Sequence, residues 1–327
     1  MSGTAWTNGD QIPIREVLFR WLTSAAVIRP DGAVLSWWND AHPGFPYPEA
    51  AALWLSWAAW RRARRDPVPE AQQIARVTGR LARDLLEDGG IGAGGSRFLF
   101  DTCLAVDALA RTVLPAEDPD SAMERLGAMD AAAERISRWV DEPAPVVPMP
   151  RDPDRWSRRW DPHLLRAAGI LARGARALEH RELLGASRRL VERIPGDAPG
   201  GPVTLHAHCY GLEGRWMLQG PDPAVVAAIE ALVGVQQRDG SLPAHAGEPG
   251  AGRSDATAQA VRLWCASRSD ALSRPIRRGC SWLLAQIHRH RGIRYEAGSE
   301  DRNTWAALFA DQALAWATEG GVDGDWI

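Results

Sequence analysis

Six times along this chain an amphipathic helical stretch gives way, after a connection rich in Pro or Gly, to a stretch that is apolar on nearly every side. The more apolar members begin near Pro48 (PEAAALWLSWAAW), Asp101 (DTCLAVDALART), Pro162 (PHLLRAAGILARGARAL), Leu205 (LHAHCYGLEGRWML), Asp255 (DATAQAVRLWCAS) and Asn303 (NTWAALFADQALAW). Recurrence at roughly 50 residues is the signature of a repeat architecture. The first members lie over 13–26, 68–86, 121–140, 181–194, 222–236 and 274–288, four of them with both Arg and Glu and the other two with one or the other. An alternating β pattern is almost absent, so the chain reads as all-α.

A helix that is apolar all round must be buried on most sides, whereas an amphipathic one keeps a wet face. Six such pairs satisfy both demands as an α/α toroid: six helical hairpins, with an inner ring of six helices inside an outer ring of six. An open solenoid is the rival arrangement. It calls for polar outer faces on its terminal repeats, and the last apolar stretch here is as apolar as the middle ones. The Pro-rich stretch from Asp141 to Pro162 has hairpins of one kind on both sides, so it reads as a long loop inside a single domain spanning residues 1–327.

Composition narrows the function. Of the 327 residues 24% are charged and the net charge is −3, which provides no basic field for nucleic-acid phosphates or an anionic membrane surface. All 38 basic residues are Arg, so chemistry that needs a lysine amine, such as a Schiff base or a phosphate-loop lysine, is excluded. Cys103, Cys209, Cys265 and Cys280 form no close pair, which argues against a Cys-x-x-Cys metal site and for buried thiols in a reducing compartment. No leader and no membrane-spanning run is legible, and the expected location is the cytoplasm.

Several connections resemble known toroid families. QQRDGSLPAH, from Gln236, resembles the repeat of squalene and oxidosqualene cyclases, and LEDGGIGAGGSRFLFDTCLAVDAL, from Leu86, resembles the repeat of protein prenyltransferase β-subunits. Four blocks in order, PYPEAAAL (Pro46 to Leu53), HAHCYGLEG (His206 to Gly214), ATAQAVRLW (Ala256 to Trp264) and RNTWAALFADQAL (Arg302 to Leu314), are similar to bacterial prenyltransferase-like or squalene-cyclase-like toroid proteins. The resemblance spans residues 46 to 314 and implies the α/α toroid. It does not fix an activity. The DxDD acid motif of type II terpene cyclases is missing, since Asp323 and Asp325 stand in the final residues, and no DDxxD magnesium motif occurs. HAHCY is similar to a zinc-binding segment of prenyltransferases, but no Asp-x-Cys pair stands directly before it, Asp101-Thr102-Cys103 lying on an earlier apolar stretch, and the Cys-His-Gly segment of lanthionine cyclases is lacking.

In a ring of this kind the connections into the inner helices gather at one end, so residues far apart in sequence meet around the mouth. Those residues are Tyr47 and Glu49, Asp101, Asp161 and His163, His206 with His208 and Tyr210, Asp255, and Arg302 with Asn303. Carboxylates, imidazoles, a phenol and a guanidinium are what proton transfer on a polar substrate requires. Asp101, Asp161, Ser254 and Asn303 could equally cap helix N-termini. His206 and His208 diverge by about 200° on a helix, so only one faces the axis. His206, Tyr210 and Glu213 share one stripe at i, i+4, i+7, and form either a wet site or a structural network. Asp107 and Asp311 read as buried ties between helices. Trp37 and Trp38, in a loop, could stack on sugar rings, whereas Trp54, Trp57 and Trp60 read as helix packing.

These residues point to a metal-independent acid/base enzyme of lyase, epimerase or hydrolase type acting on a carbohydrate or anionic natural-product intermediate, with no cofactor. His206 or Tyr210 exchanges the proton, Glu49 or Glu213 is the partner carboxylate, and Asp101 and Asp255 are further acids. Tyr47, His163, Arg215, Gln259, Arg302, Asn303 and the indoles of Trp37, Trp38 and Trp305 bind substrate. Two alternatives stay open. An isoprenoid enzyme would place Asp255 or Asp101 alone in a dry aromatic cavity, and a non-catalytic binding or scaffold ring would show a filled axis with His206 and Glu213 locked between helices.

Overall fold

The computed structural model describes residues 12–42, 44–92, 96–112, 118–142, 161–194, 204–248, 250–288, 291–319 and 326–327. Among these residues lie twelve α-helices that alternate between two layers. The inner ones are α2 (Pro48–Ala63), α4 (Leu99–Arg111), α6 (Leu164–Ala177), α8 (Leu205–Gln219), α10 (Ser254–Ser267) and α12 (Thr304–Glu319). The outer ones are α1 (Ile12–Leu22), α3 (Ala71–Asp88), α5 (Pro119–Asp141), α7 (Arg181–Arg193), α9 (Pro223–Ala231) and α11 (Ser273–Gln286). Each inner helix packs on the next, α2 on α4, α6, α8, α10 and α12 in turn, and α12 packs back on α2. The ring is closed, and the α/α toroid read from the periodicity is the fold. Across the stretch from Asp141 to Pro162, of which 143–160 lie outside the described residues, α4 packs on α6 and α5 on α7.

Local chemistry sets the helix ends. Asp118 and Asp222 cap α5 and α9 by accepting from the Ser121 and Ala224 N–H groups, each with Pro at the first helical position. Gly89 ends α3 in the left-handed conformation (φ 65°), where an L side chain is strained. Two outer helices, α1 and α9, stop short of their apolar pattern. α1 stops at Leu22 rather than 26 because the hydroxyls of Thr23 and Ser24 bond back to the Phe19 and Trp21 carbonyls. α9 stops at Ala231 rather than 236 and passes into a 3₁₀ turn over Leu232–Val235.

Small residues let the inner helices approach closely. A Cβ on Gly214 of α8 would lie 2.1 Å from the Arg166 backbone nitrogen of α6, so no side chain fits there. Charge closes the ring where its two ends meet: Asp311 of α12 accepts from Arg15 Nε of α1 (2.8 Å), Arg61 Nη1 of α2 (2.5 Å) and Trp57 Nε1 of α2 (2.8 Å). Asp107 of α4 takes a two-toothed grip from Arg173 of α6, at 3.0 and 2.6 Å. Both aspartates are the inter-helix ties the sequence suggested. Two short antiparallel ladders, unforeseen from the alternation pattern, lie in the connections: β1 (Trp37–Trp38) with β4 (Arg302–Asn303), and β2 (Ile287–His288) with β3 (Gly292–Ile293). Among the described residues no helix is long and apolar enough to cross a membrane.

Candidate active site at the ring mouth

The N-terminal ends of the inner helices meet at one end of the ring. Tyr47, just before α2, donates its hydroxyl to Asp101 Oδ2 of α4 at 2.8 Å. Asp101 is the third residue of α4 and not its cap: the helix starts at Leu99, and the carboxylate accepts from the tyrosine. The rings of His163, Phe100, Tyr210 and His206 then run across from α6 and α4 to α8, with centroids 5.8, 5.0 and 4.5 Å apart. His206 Nδ1 lies 2.7 Å from Gln259 Oε1 and 3.5 Å from Asp255 Oδ2, both on α10. Arg253 grips Asp255 through Nε (3.2 Å) and Nη2 (2.8 Å), and its Nη2 also reaches the Tyr295 hydroxyl.

Burial decides the protonation of this cluster. It lowers the pKa of His206 and outweighs the opposing pull of Asp255, and it lowers His163 to about 3, with His206 adding to the effect. Both imidazoles are neutral at pH 7. Burial, then the charge of Glu49, raise the Tyr210 phenol well above its ordinary value, so that hydroxyl keeps its proton. For Asp255 burial works upward, but the Arg253 charge, His206 and the bonds from Arg253 and the Ala256 N–H win, and the carboxyl stays below its ordinary range. A carboxylate held this way orients and stabilises charge; it is a poor proton donor.

Deeper along the axis, Glu213 is wholly buried between Arg166 and Arg262, bonded to both. Arg166 also reaches the Ile327 carbonyl and Arg262 reaches Gln312 Oε1 at 2.9 Å. Their guanidinium carbons stand 4.8 Å from the Tyr210 ring and 4.3 Å from the Phe309 ring. Burial pulls both arginines down to about 9, still above neutral pH, so two cations flank one anion. The stripe of His206, Tyr210 and Glu213 therefore splits: its first two members are at the mouth, and the third is locked in a helix-to-helix bridge.

The remaining predicted residues divide by place. β1 and β4 set Trp37 beside Asn303 and Trp38 beside Arg302 on the rim where the ring closes. Asn303 caps α12 through Oδ1 to the Ala306 N–H (2.8 Å), and Arg302 is held by the Glu300 carbonyl (2.9 Å) and carboxylate (3.2 Å). Trp305 meets Tyr295 edge-on at 6.4 Å. Ser254 caps nothing and donates to the Arg294 carbonyl at 2.6 Å. Arg215 sits by His208 on the other side of α8, away from the axis. Arg166, Arg253, Arg262 and Tyr295 were not singled out from sequence. The usable signal was an Arg at 166 and 262 in otherwise apolar stretches, since a buried cation requires an anion. Among the described residues no three His, Cys, Asp or Glu side chains gather as a metal site needs.

Similarity to known proteins lies in the fold. No family model matches the chain, and no curated protein is detectably similar in sequence. Among solved structures, a glycosidase with glucose bound superposes with a TM-score of 0.66 at 11% identity, over 96% of this chain and 99% of that one. An unsaturated glucuronyl hydrolase from Bacillus sp. GL1, described as responsible for glycosaminoglycan degradation, gives 0.62 at 12%, over 95% and 96%. A polysaccharide lyase gives 0.60 at 11%, over 94% and 98%. These are α/α toroids named for action on sugars, each matched over nearly all of its chain. The sequence resemblance pointed instead to cyclase- and prenyltransferase-like rings, and what the two groups share is the toroid itself.

Proposed function

We propose that this chain is a carbohydrate-active enzyme of hydrolase or lyase type that works at the ring mouth by acid/base catalysis. The observation that carries the reading is a pair of nearly buried, oriented groups on different inner helices at the same end: the Asp101 carboxylate under the Tyr47 hydroxyl, and the neutral His206 imidazole on Gln259. In hydrolysis, water adds its hydroxyl to the anomeric carbon and its proton to the departing oxygen. That needs a base near one and an acid near the other. Asp101 and Glu49 supply the carboxylates, His206 the base, and Tyr210 a neutral phenol donor. Trp37 and Trp38 on the rim supply flat faces for sugar rings. Glu213, bridged deep in the axis, supports the site electrostatically rather than exchanging protons. The toroid shared with sugar-acting enzymes supports the same substrate class.

The filled axis, with Glu213 locked between two arginines, favours a second reading, a ring that binds a sugar without turning it over. One experiment separates them. Thermal unfolding is followed with uronic-acid oligosaccharides, neutral oligosaccharides and prenyl diphosphates, and each stabilising ligand is then assayed for cleavage. Unsaturated uronates are read by their ultraviolet absorbance. Stabilisation and cleavage of one sugar class, with cleavage lost in His206→Asn and Asp101→Asn but stabilisation kept, is the expected result. Stabilisation without cleavage leaves the binding ring, and stabilisation by prenyl diphosphates alone overturns both.

A further inference from the structure

We infer that Gln259, together with the Arg253–Asp255 pair, positions His206 so that its proton sits on Nδ1 and its lone pair on Nε2. This deepens the acid/base reading and rests on it for its catalytic meaning, but its geometry stands alone. Two oxygens approach Nδ1: Gln259 Oε1 at 2.7 Å and Asp255 Oδ2 at 3.5 Å. A carboxylate only accepts, so Asp255 alone calls for an N–H at Nδ1 whichever way the Gln259 amide is turned. Asp255 is in turn kept in place and ionised by the two-toothed Arg253 grip and the Ala256 N–H at 2.8 Å.

The consequence is directional. With Nδ1 as donor, Nε2 takes a proton from a hydroxyl or a water, and the imidazolium that results has Asp255 beside it to stabilise its charge. Against this act burial first and then the charges of Arg253 and Arg166, which disfavour a further cation, while the neutral His163 ring adds no charge. The Tyr210 ring, 4.5 Å away, and the Phe309 ring, 6.4 Å away, supply no charge at neutral pH. Gln259 is wholly buried, and its Nε2 has no hydrogen-bond partner among the described residues. That amide therefore has a donor left over for an oxygen bound beside His206. Gln259, Asp255 and Arg253 are positioning residues in this scheme, and His206 is the group that meets the substrate.

The test reads the tautomer, not turnover. Protein labelled with ¹⁵N-histidine is examined by long-range proton–nitrogen correlation, and the His206 signal is identified by its loss in His206→Gln. The expected result is a neutral imidazole at pH 7 with the proton on Nδ1. In Gln259→Glu the proton stays on Nδ1 and the His206 pKa rises by about 1 to 3 pH units, since a carboxylate replaces the amide. In Gln259→Leu the Nδ1–H form loses ground to the Nε2–H form. A wild-type imidazole protonated on Nε2, or a tautomer and pKa unmoved by both substitutions, overturns the inference. Should Gln259→Leu fail to fold by circular dichroism, the wild-type tautomer and the near-isosteric Gln259→Glu still decide. An Nδ1–H tautomer in a protein that cleaves no sugar would leave this arrangement standing and remove the proposed activity.

Discussion

Replacing Glu213 by Gln removes the anion that two buried guanidinium groups share. Arg166, Glu213 and Arg262 have no side-chain exposure, and both arginines remain charged at neutral pH. Glutamine keeps the volume and one carbonyl acceptor, so the loss is almost purely electrostatic. Breaking a buried ion pair by removing one partner costs about 3–5 kcal/mol, because the remaining charge has neither water nor counter-charge. An unfolding entropy of about 2.1 cal/mol/K per residue gives roughly 0.7 kcal/mol/K for a chain of 327 residues. Glu213→Gln should therefore lower the melting temperature by about 4 to 7 °C, measured by scanning calorimetry at pH 7 with near-ultraviolet circular dichroism as a check on packing. The combined change Arg166→Met, Glu213→Leu and Arg262→Met should cost far less than Glu213→Gln alone, since no charge is left buried. A Glu213→Gln protein that melts with the wild type, or a triple variant that melts below it, would refute the view that an orphaned charge sets the cost.

Other expectations follow from the same packing. Asp311→Ala strands Arg15, Arg61 and Trp57 where the ring closes. It should cost about 3–5 kcal/mol in urea unfolding, with amide exchange rising first in α1 and α12; a loss spread evenly round the ring would contradict the closing role. Gly214→Ala drives a Cβ against the Arg166 and Leu165 backbones at 2.1 and 2.2 Å. Overpacking of that kind costs at least about 1–3 kcal/mol, and an unchanged urea midpoint would show that the helices can part. His163 has a folded pKa of about 3, below its unfolded value, so the unfolded chain binds the extra proton and stability falls as pH drops from about 6.5 towards 3. His163→Phe should flatten the melting temperature against pH over that window, and an equally steep profile would exclude His163 as a cause. Asp255, depressed in the folded state, contributes stability above its unfolded pKa and loses it as pH falls through the folded one. Arg253→Met should therefore move acid unfolding to higher pH.

The twelve helices were legible because burial itself is periodic. An inner helix must be apolar on every side and an outer one on a single face, and both patterns are written locally. Helix starts at Pro48, Leu205 and Ser254 fell close to the expected positions because Pro and short polar residues mark them. Asp107 and Asp311 were recognisable as ties from an isolated charge in an apolar stretch. The cyclase-like resemblance found the ring correctly and pointed to a different chemistry from that of the sugar-acting structures, since turns of a toroid recur across activities.

What the residues alone determined is that helical hairpins of this kind must close into a ring with polar side chains at the inner-helix starts. Which polar groups touch was decided by the tertiary structure. Glu213 lies 47 residues from Arg166 and 49 from Arg262, and His206 lies 53 from Gln259. Such distances are bridged only when neighbouring inner helices settle into one axial register. A shift of one residue on a helix turns a side chain by about 100°, enough to move Glu213 from a buried bridge into the mouth. Periodicity specifies which face of a helix is buried, while the height at which two buried faces meet comes from glycines such as Gly214, from close packing, and from the charges that must find partners there.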